Sequence, residues 1–244
     1  MIVPSVVDHY ASHLAPVYAW MAGGIDAALE RGAGEVSALN LSPVPGAVAV
    51  DLGAGFGMHA IPLARVGYRV LAIDSSAELL NELRAGMGVL PIDVVTDDLL
   101  AFRRHVREPP QLILCMGDTL THLENAEAVL RLIADASNSL RSGGCFVITL
   151  RDYSQALTGE QRFIAVRSDE HRVLTCFLEY SAAHVTVHDL LHEREASGWK
   201  LRVSSYPKLR LAPAWVDNAL QSAGFVVRRE PGLSGMVRLV ARRI

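Results

Sequence analysis

The chain has 244 residues, of which 50% are hydrophobic and 20% are charged, with a formal net charge of −3. This length suits one large α/β domain, with or without an insertion, and the hydrophobic share is enough to bury a core. The slight acidic excess offers no basic face to a nucleic acid, and aromatic and basic residues do not alternate as in RNA binders. We therefore expect no nucleic-acid partner.

Cysteine usage and the absence of long apolar runs indicate a cytoplasmic protein. Cys115, Cys145 and Cys176 are widely spaced, fit no zinc pattern and suit buried thiols in a reducing compartment. No stretch approaches the ~20 apolar residues that a transmembrane helix needs, and the first residues do not have the pattern of a signal peptide. The sequence therefore predicts no membrane partner.

Two helices are predicted ahead of the main domain. The first spans about residues 6–21, the second about 25–41, and Gly23-Gly24 separates them. A linker with two prolines and a glycine follows. We therefore treat residues 1–42 as a helical segment of its own.

The most informative stretch is residues 51–57, Asp-Leu-Gly-Ala-Gly-Phe-Gly, which directly follows an apolar strand. Gly53 and Gly55 permit a tight turn with positive φ and the close approach of a ligand. A dinucleotide fingerprint requires its third glycine at Met58, but here that glycine comes one residue earlier. The carboxylate of Asp51 would repel a pyrophosphate and suits a ligand with an ammonium group.

S-adenosylmethionine carries such an ammonium group and no phosphate. The pattern D-x-G-x-G-x-G resembles the first motif of the class I S-adenosylmethionine-dependent methyltransferases. This resemblance implies S-adenosylmethionine as cofactor and S-adenosylhomocysteine as product. The residues of the turn expected to border the cofactor are Asp51, Gly53, Ala54, Gly55, Gly57 and His59.

Acidic residues at two further strand ends support the resemblance. Asp74, followed by Ser75, ends the second strand, where an acid can accept hydrogen bonds from both ribose hydroxyls. In the resembled family an acid after the third strand accepts a hydrogen bond from the adenine amino group. Asp98, followed by apolar Leu99, is preferred over Asp97 for that role. Each acid taken alone also fits a helix cap or a turn.

The fourth strand leads into a segment that looks like the fourth motif of the family, beside the transferred methyl group. Met116 and Gly117 are expected to border the cofactor, and Asp118 and His122 are the catalytic candidates. The segment looks nearest to glycine N-methyltransferase-like enzymes, which usually carry Asn-Ser where this chain has Asp118-Thr119. The alternative for His122 is a cap or packing residue of the next helix.

The chemistry at this segment depends on the acceptor. An amine attacks a sulfonium methyl without acid or base catalysis, whereas an oxygen or carbon acceptor usually needs a base. We favour nitrogen over oxygen. No second acidic cluster accompanies Asp118, so no metal is predicted.

In many small-molecule methyltransferases a segment like residues 1–42 folds over the cofactor as a lid. Tyr10, Tyr18 and Trp20 have large rings with polar tips, which cover a partly polar, partly apolar ligand well. At least one of them is expected to touch the cofactor. The alternative is that these rings pack on the core.

Strands and helices alternate along the chain, which predicts a parallel sheet with helices on both faces. The strands are expected near residues 47–51, 69–74, 89–95, 111–116 and 144–150, and the helices near 58–66, 76–86, 99–106 and 124–140. A last helix over about 213–223 and a closing hairpin complete the seven-stranded Rossmann-like sheet of the resembled family. Residues 43–150 and 213–244 would form this domain.

Residues 151–212 are not needed by that fold and read as four short strands separated by turns. We predict an antiparallel insert over the carboxyl ends of the parallel strands, where it would wall the acceptor pocket. The candidate acceptor-binding residues are Arg151, Tyr153, Tyr180, His184 and Tyr206. The alternative for Arg151 is a pair with Asp152 that anchors the insert.

Three histidines of the insert, His184, His188 and His192, share one face of a predicted strand. Neighbours four residues apart lie about 13 Å from each other, too far to share one metal ion. An outward polar face is the ordinary interpretation, and a polar pocket wall is the other.

The sequence therefore predicts a cytoplasmic methyltransferase with a small-molecule acceptor and a possible homodimer. The main alternative is a catalytically inactive S-adenosylmethionine-binding regulator or partner subunit. A nicotinamide-dependent oxidoreductase is disfavoured by the position of the third glycine.

Overall fold

A computed structural model describes residues 5–244, so the first four residues of the predicted helical segment lie outside the described part. The strands are β1 (Val48–Leu52), β2 (Arg69–Asp74), β3 (Ile92–Thr96), β4 (Leu112–Cys115), β5 (Cys145–Leu150), β6 (Phe163–Ser168), β7 (Arg172–Tyr180), β8 (His184–Glu195), β9 (Gly198–Leu209), β10 (Phe225–Pro231) and β11 (Val237–Arg243). The α-helices are α1 (Val6–His9), α2 (Ala15–Met21), α3 (Ile25–Ala38), α4 (Ala60–Arg65), α5 (Ala77–Gly86), α6 (Ala126–Ser139) and α7 (Pro213–Ser222).

The larger sheet has seven strands in the order β10-β11-β5-β4-β1-β2-β3. The five strands from β1 to β5 run parallel, and β11 pairs antiparallel with β5 and β10. The alternating strands and helices place apolar side chains on both faces, and two buried clusters pack there. The predicted Rossmann-like methyltransferase sheet is confirmed, and the carboxyl ends of β1, β2 and β4 meet at one edge.

Two predicted boundaries and one predicted helix type were wrong. The third strand begins at Ile92 rather than residue 89, because Pro91 has no N–H to donate to a sheet. The second helix ends at Ala38, and Asn40 then adopts a positive φ of 50° that stops helical winding. The helix predicted over 99–106 is a 3₁₀ helix, Leu99–Arg104.

Residues 6–21 form one continuous helical rod, in which a π-helical turn, Tyr10–Leu14, joins α1 to α2. Such turns are rare and shift the helix face by one residue. The rod packs on the inward face of the smaller sheet, where Val17 contacts Leu174 and Leu191. The predicted N-terminal helix is therefore present and lies against the insert.

The insert forms a four-stranded antiparallel sheet in the order β6-β7-β8-β9. Along β8, buried and half-buried residues alternate, with Val185, Val187 and Leu191 inward. His184, His188 and His192 have the opposite parity, as the outward-face interpretation expects. Every helix in residues 5–244 is too short or too polar to cross a membrane.

Substitution of Gly32 should be costly, because α3 packs at this glycine directly on the turn after β1. A Cβ built on Gly32 lies 1.9 Å from the carbonyl oxygen of Met58, whereas a Cβ on Gly34 meets nothing within 4 Å. We expect Gly32→Ala to lower the free energy of unfolding by about 1–3 kcal/mol, the typical cost of overpacking. Gly34→Ala should raise it by about 0.5–1 kcal/mol through helix propensity. Equal denaturation midpoints of the two variants would contradict this packing.

Candidate active site

The turn after β1 is tied to β2 by its backbone. The amides of Gly53 and Ala54 donate to the carbonyl of Ile73 at 2.8 and 3.0 Å. A Cβ on Gly53 would lie 2.6 Å from Thr119, and one on Gly57 would lie 2.4 Å from Leu83. At these two glycines, side chains of the protein itself occupy the space that a Cβ would need.

Gly55 differs from the other two glycines of the turn. Its φ is +52°, and a built Cβ would make only an ordinary contact with Leu79 at 3.8 Å, so this side of the backbone is less crowded than at Gly53 and Gly57. The amide of Gly55 donates to Oδ2 of Asp74 at 2.8 Å. The amide of Ser76 donates to the other carboxylate oxygen, also at 2.8 Å. Asp74 is thus held at the mouth of the turn, bonded directly to Gly55.

Asp51 is a buried acid with an unsatisfied oxygen. Its residue is 1% exposed, and its Oδ2 has no hydrogen-bond partner among the described residues. Burial raises the pKa of Asp51 to about 6, while the charge of His59 pulls it down and that of Asp74 pushes it up. Because an orphaned buried carboxylate oxygen is costly, a cationic donor from a ligand fits this position.

The helical rod covers the turn with aromatic rings. The ring centroid of Tyr18 lies 5.9 Å from that of Phe56 in the turn and 5.9 Å from that of Tyr10. Burial raises the pKa of Tyr10, and the charges of Tyr18 and Asp74 raise it further. Both tyrosines therefore face the mouth of the glycine turn as neutral phenols.

Three rings enclose the space beside the 3₁₀ turn Thr119–His122. The centroid of Tyr10 lies 5.7 Å from that of His122 and 6.2 Å from that of Tyr206, and the last two are 5.7 Å apart. These rings come from the rod, the turn after β4 and β9 respectively. The site therefore joins the larger sheet, the rod and the insert.

A buried ion pair lies behind these rings. The Nζ of Lys208 lies 2.6 Å from Oδ2 of Asp118, and the hydroxyl of Tyr153 donates to the same oxygen at 2.9 Å. The amide of Arg151 donates to Oδ1 at 2.9 Å. Burial works against the charge of Asp118, but Lys208 outweighs it and lowers the pKa of the carboxyl. Asp118 is thus an ionised anchor whose two oxygens are both occupied.

His122 is held without a charge. Its Nε2 is inaccessible to solvent and has no hydrogen-bond partner within residues 5–244. Burial lowers its pKa to about 3, and the nearby Lys208 lowers it further against the opposing charge of Asp118. The imidazole can therefore accept a hydrogen bond but is a weak base.

A polar clasp fixes the rod to the insert. The Nε2 of His9 lies 2.9 Å from Oδ2 of Asp189, and its Nδ1 lies 2.7 Å from Oγ of Ser204. The His9 ring stacks on Tyr206 with centroids 4.3 Å apart. Cys176 donates its thiol to the other oxygen of Asp189 at 2.8 Å. The clasp fixes Tyr206 as well as the rod.

The side chains of three predicted cofactor residues already have partners within the protein. Trp20 donates to Asp169 and lies under two arginines of the insert. His59 points to Glu35 on α3, with Nε2 and Oε2 2.9 Å apart. Asp98 caps the following 3₁₀ helix through the amide of Leu100.

The other predicted cofactor residues follow the strand ends. Ser75 directly follows Asp74, and Leu99 packs beside the core at the start of its 3₁₀ helix. Met116 is buried after β4, and its carbonyl accepts from the Thr119 hydroxyl at 2.7 Å. The amide of Gly117 donates to the Thr149 hydroxyl at 2.7 Å.

The predicted acceptor residues are divided. Tyr206 and the hydroxyl of Tyr153 lie in the ring cluster or behind it. The side chain of Arg151 instead donates to the carbonyl of Ser234, and does not pair with Asp152. The guanidinium carbon of Arg210 lies over the ring of Tyr180, 5.5 Å from the centroid of that ring. His184 lies on the outward parity of β8.

Several residues of the site were not predicted from the sequence. Lys208, Asp189 and Glu35 are charged residues that are at most 8% exposed. Asp189 shares the parity of Val185, Val187 and Leu191, so an acid on an otherwise apolar strand face was the available signal. Lys208 shares the parity of Tyr206 in the same way. Glu35 had no comparable signal.

Residues 49–144 match the family model of a methyltransferase domain. A glycine/sarcosine N-methyltransferase from Aphanothece halophytica is 27% identical over 110 residues, which cover 44% of this chain and 42% of the relative. The chain thus spans less than half the length of this curated relative.

Solved methyltransferases share the fold over nearly the whole chain. The CcbJ methyltransferase from Streptomyces caelestis is 23% identical and has a TM-score of 0.77, with 96% of this chain and 97% of that one covered. CalS10, an amino pentose methyltransferase from Micromonospora echinaspora solved with S-adenosylmethionine, is 16% identical with a TM-score of 0.76, covering 93% and 95%. At these identities the likeness shows the fold.

Proposed function

We propose that this protein, whose residues 49–144 match the family model of a methyltransferase domain, transfers a methyl group from S-adenosylmethionine to the nitrogen of a small-molecule amine. One observation carries the proposal. The loosely packed backbone of Gly55, the held carboxylate of Asp74 and the orphaned oxygen of Asp51 converge at one sheet edge, under the tyrosines of the rod.

The residues at this edge fit S-adenosylmethionine. Asp51 would bind the ammonium group of its methionine part, and Asp74 would accept hydrogen bonds from the ribose hydroxyls. Asp98 would border the adenine ring. Tyr10 and Tyr18 would cover the ligand and exclude water. When bound, the cofactor supplies an activated methyl group, and its sulfur retains the electron pair of the broken carbon–sulfur bond.

The electrostatics of the site favour an amine acceptor. An oxygen acceptor needs a base to remove its proton, and the two candidates are poorly suited to that task. The oxygens of Asp118 are occupied by Lys208, Tyr153 and the backbone of Arg151. His122 is a weak base with a pKa of about 3. A neutral amine attacks through its own lone pair, so positioning is the main requirement.

His122 would position the acceptor by accepting a hydrogen bond from its N–H. We expect His122→Phe, which keeps the ring and removes the acceptor nitrogen, to lower kcat/KM by about 10-fold to 100-fold. Because wild-type His122 is uncharged above pH 5, the rate should rise with pH as the acceptor amine itself loses its proton. A pH profile that follows an imidazole, lost in His122→Phe, would instead assign His122 as the base.

Turnover on an acceptor panel tests the proposed reaction. The panel contains amino acids, amino sugars and aromatic amines, with hydroxyl compounds of the same skeleton as matched controls. Release of S-adenosylhomocysteine and gain of a methyl mass on the amines are expected. Methylation of the hydroxyl compounds alone would contradict an amine acceptor. The relatives' names, glycine/sarcosine N-methyltransferase and amino pentose methyltransferase, support the choice of panel.

A second candidate is a protein that binds S-adenosylmethionine without transferring its methyl group. The observation in its favour is the close packing of Tyr10, His122 and Tyr206, whose centroids lie 5.7 to 6.2 Å apart. If these rings do not separate, they leave the acceptor no room. Cofactor binding without turnover on any member of the panel would favour this function.

A further inference from the structure

The cofactor side of the site contains a buried pair of ionisable side chains that the proposed reaction does not use. Glu35 on α3 and His59 after the glycine turn are 7% and 8% exposed, and their Oε2 and Nε2 atoms are 2.9 Å apart. The other carboxylate oxygen of Glu35 has no partner in the described part of the chain. Two buried ionisable groups at this position need an explanation, because burial of charge is costly.

The packing of α3 fixes where Glu35 can lie. Gly32, one helical turn earlier, packs directly against the carbonyl of Met58, the residue before His59. Glu35 and Gly32 lie on the same face of the helix, three residues apart. The contact between Gly32 and Met58 therefore positions the Glu35 carboxylate beside the His59 imidazole and restricts its movement.

We propose that Glu35 is a positioning residue for the cofactor, holding a charged His59 that keeps Asp51 ionised for the ammonium group of the bound ligand. The inference rests on the proposed function, since it assigns that ligand to Asp51. It adds a residue on α3, outside the glycine turn, to the cofactor machinery. The hydrogen bond from Glu35 holds His59, and the charge of His59 acts on the carboxylate of Asp51.

The charges around the three side chains agree with this order. Burial opposes the charged form of His59, but the hydrogen bond from Glu35 and the charges of Asp51 and Glu35 outweigh it and raise its pKa. His59 in turn lowers the pKa of Asp51 against the effects of burial and Asp74. Two further ionisable groups act near Asp51, Asp74 on β2 and Cys115 on β4. Burial raises the pKa of the Cys115 thiol, so the thiol stays neutral.

Loss of the Glu35 charge should change the pH dependence of cofactor binding. In Glu35→Gln, His59 loses its stabilising carboxylate and becomes neutral at lower pH. The pKa of Asp51 then rises above about 6, and the carboxylate is protonated where the wild-type protein still has it ionised. Binding that requires ionised Asp51 is therefore weakened as the pH falls, and regained as the pH rises.

Calorimetric titration with S-adenosylhomocysteine at pH 6.5 and 8.5 measures this effect. We expect Glu35→Gln to weaken binding about threefold at pH 6.5, the effect of raising the pKa of Asp51 from about 6 by one unit, and less than about twofold at pH 8.5. The matched control is Glu30→Gln, an exposed acid on the same helix, which should change neither value. The second probe is 5′-methylthioadenosine, which lacks the ammonium group and should bind both variants equally at both pH values.

A direct readout of His59 distinguishes this role from helix packing. With histidines labelled and His59 assigned through His59→Gln, its ring should titrate at lower pH in Glu35→Gln than in the wild type, without ligand. An equal loss of affinity at both pH values, an unchanged His59 titration, or a loss that extends to 5′-methylthioadenosine would overturn the proposal. Failure of the wild-type protein to bind S-adenosylhomocysteine would remove the proposed function together with it.

Discussion

Lys208→Met should lower the free energy of unfolding by about 3–5 kcal/mol, because it removes one partner of a buried ion pair. Lys208 is 8% exposed and Asp118 is 3% exposed, with Nζ and Oδ2 2.6 Å apart. Without the lysine, the carboxylate keeps its bonds to Tyr153 and to the backbone of Arg151 but loses its only countercharge among its hydrogen-bonded neighbours in the described structure. Its negative charge would then be buried without compensation.

Urea denaturation of two further variants isolates this effect. Lys200→Met removes a lysine from an exposed pair with Glu195, 3.3 Å apart, and should cost less than about 1 kcal/mol. The double variant Lys208→Met with Asp118→Asn removes both charges and should recover much of the loss. If Lys208→Met costs no more than Lys200→Met, the pair does not stabilise the insert against the larger sheet.

Lys208→Met should also change the positions of His122 and Tyr206, the two rings beside the proposed acceptor position. Lys208 lies 5.8 Å from the ring centroid of Tyr206, and its charge helps to keep His122 neutral. The ion pair thus connects β9 of the insert to the turn after β4, and so positions the two rings relative to each other. Stability and acceptor geometry depend here on the same contact.

Asp74→Ala should weaken binding of S-adenosylmethionine by about 100-fold or more. Two hydrogen bonds from ribose hydroxyls to a carboxylate contribute together about 3 kcal/mol, since bonds to charged groups are worth about 1.5–3 kcal/mol each. The acid also accepts the amide of Gly55 at 2.8 Å, so its loss loosens the turn as well. Both effects weaken binding.

Calorimetry with a matched acid measures this prediction. Asp93 is an exposed acid near the start of the neighbouring strand β3, away from the strand ends. We expect Asp93→Ala to retain affinity within about twofold, and Asp74→Asn, which keeps one acceptor oxygen for Gly55, to fall between the two. Unchanged affinity in Asp74→Ala would remove this residue from the cofactor site.

Much of the fold followed from local patterns in the sequence. The strands that end at Asp51 and Asp74 are short apolar runs followed by turn residues, and parallel strands bring such ends to one edge. The spacing of the glycines predicted S-adenosylmethionine as the ligand in place of a dinucleotide. Alternation along β8 predicted the outward face of His184, His188 and His192.

The polar contacts of the site could not be predicted from local patterns in the sequence, because they join distant parts of the chain. Asp118 and Lys208 are 90 residues apart, His9 and Asp189 are 180 apart, and Glu35 and His59 are 24 apart. No local periodicity encodes such pairs, since each depends on how the rod, the insert and the larger sheet pack. Trp20 illustrates the same point, because its ring packs under two arginines of the insert, far away in the sequence.

The most direct test of the account is calorimetric titration of the wild-type protein with S-adenosylmethionine and S-adenosylhomocysteine, with NADH as a competing ligand. We expect both adenosyl ligands to bind at one site with micromolar or tighter affinity and NADH to displace neither, because Asp51 repels a pyrophosphate. Binding of NADH in their place, or no binding of either adenosyl ligand, would contradict the assignment of this edge of the sheet.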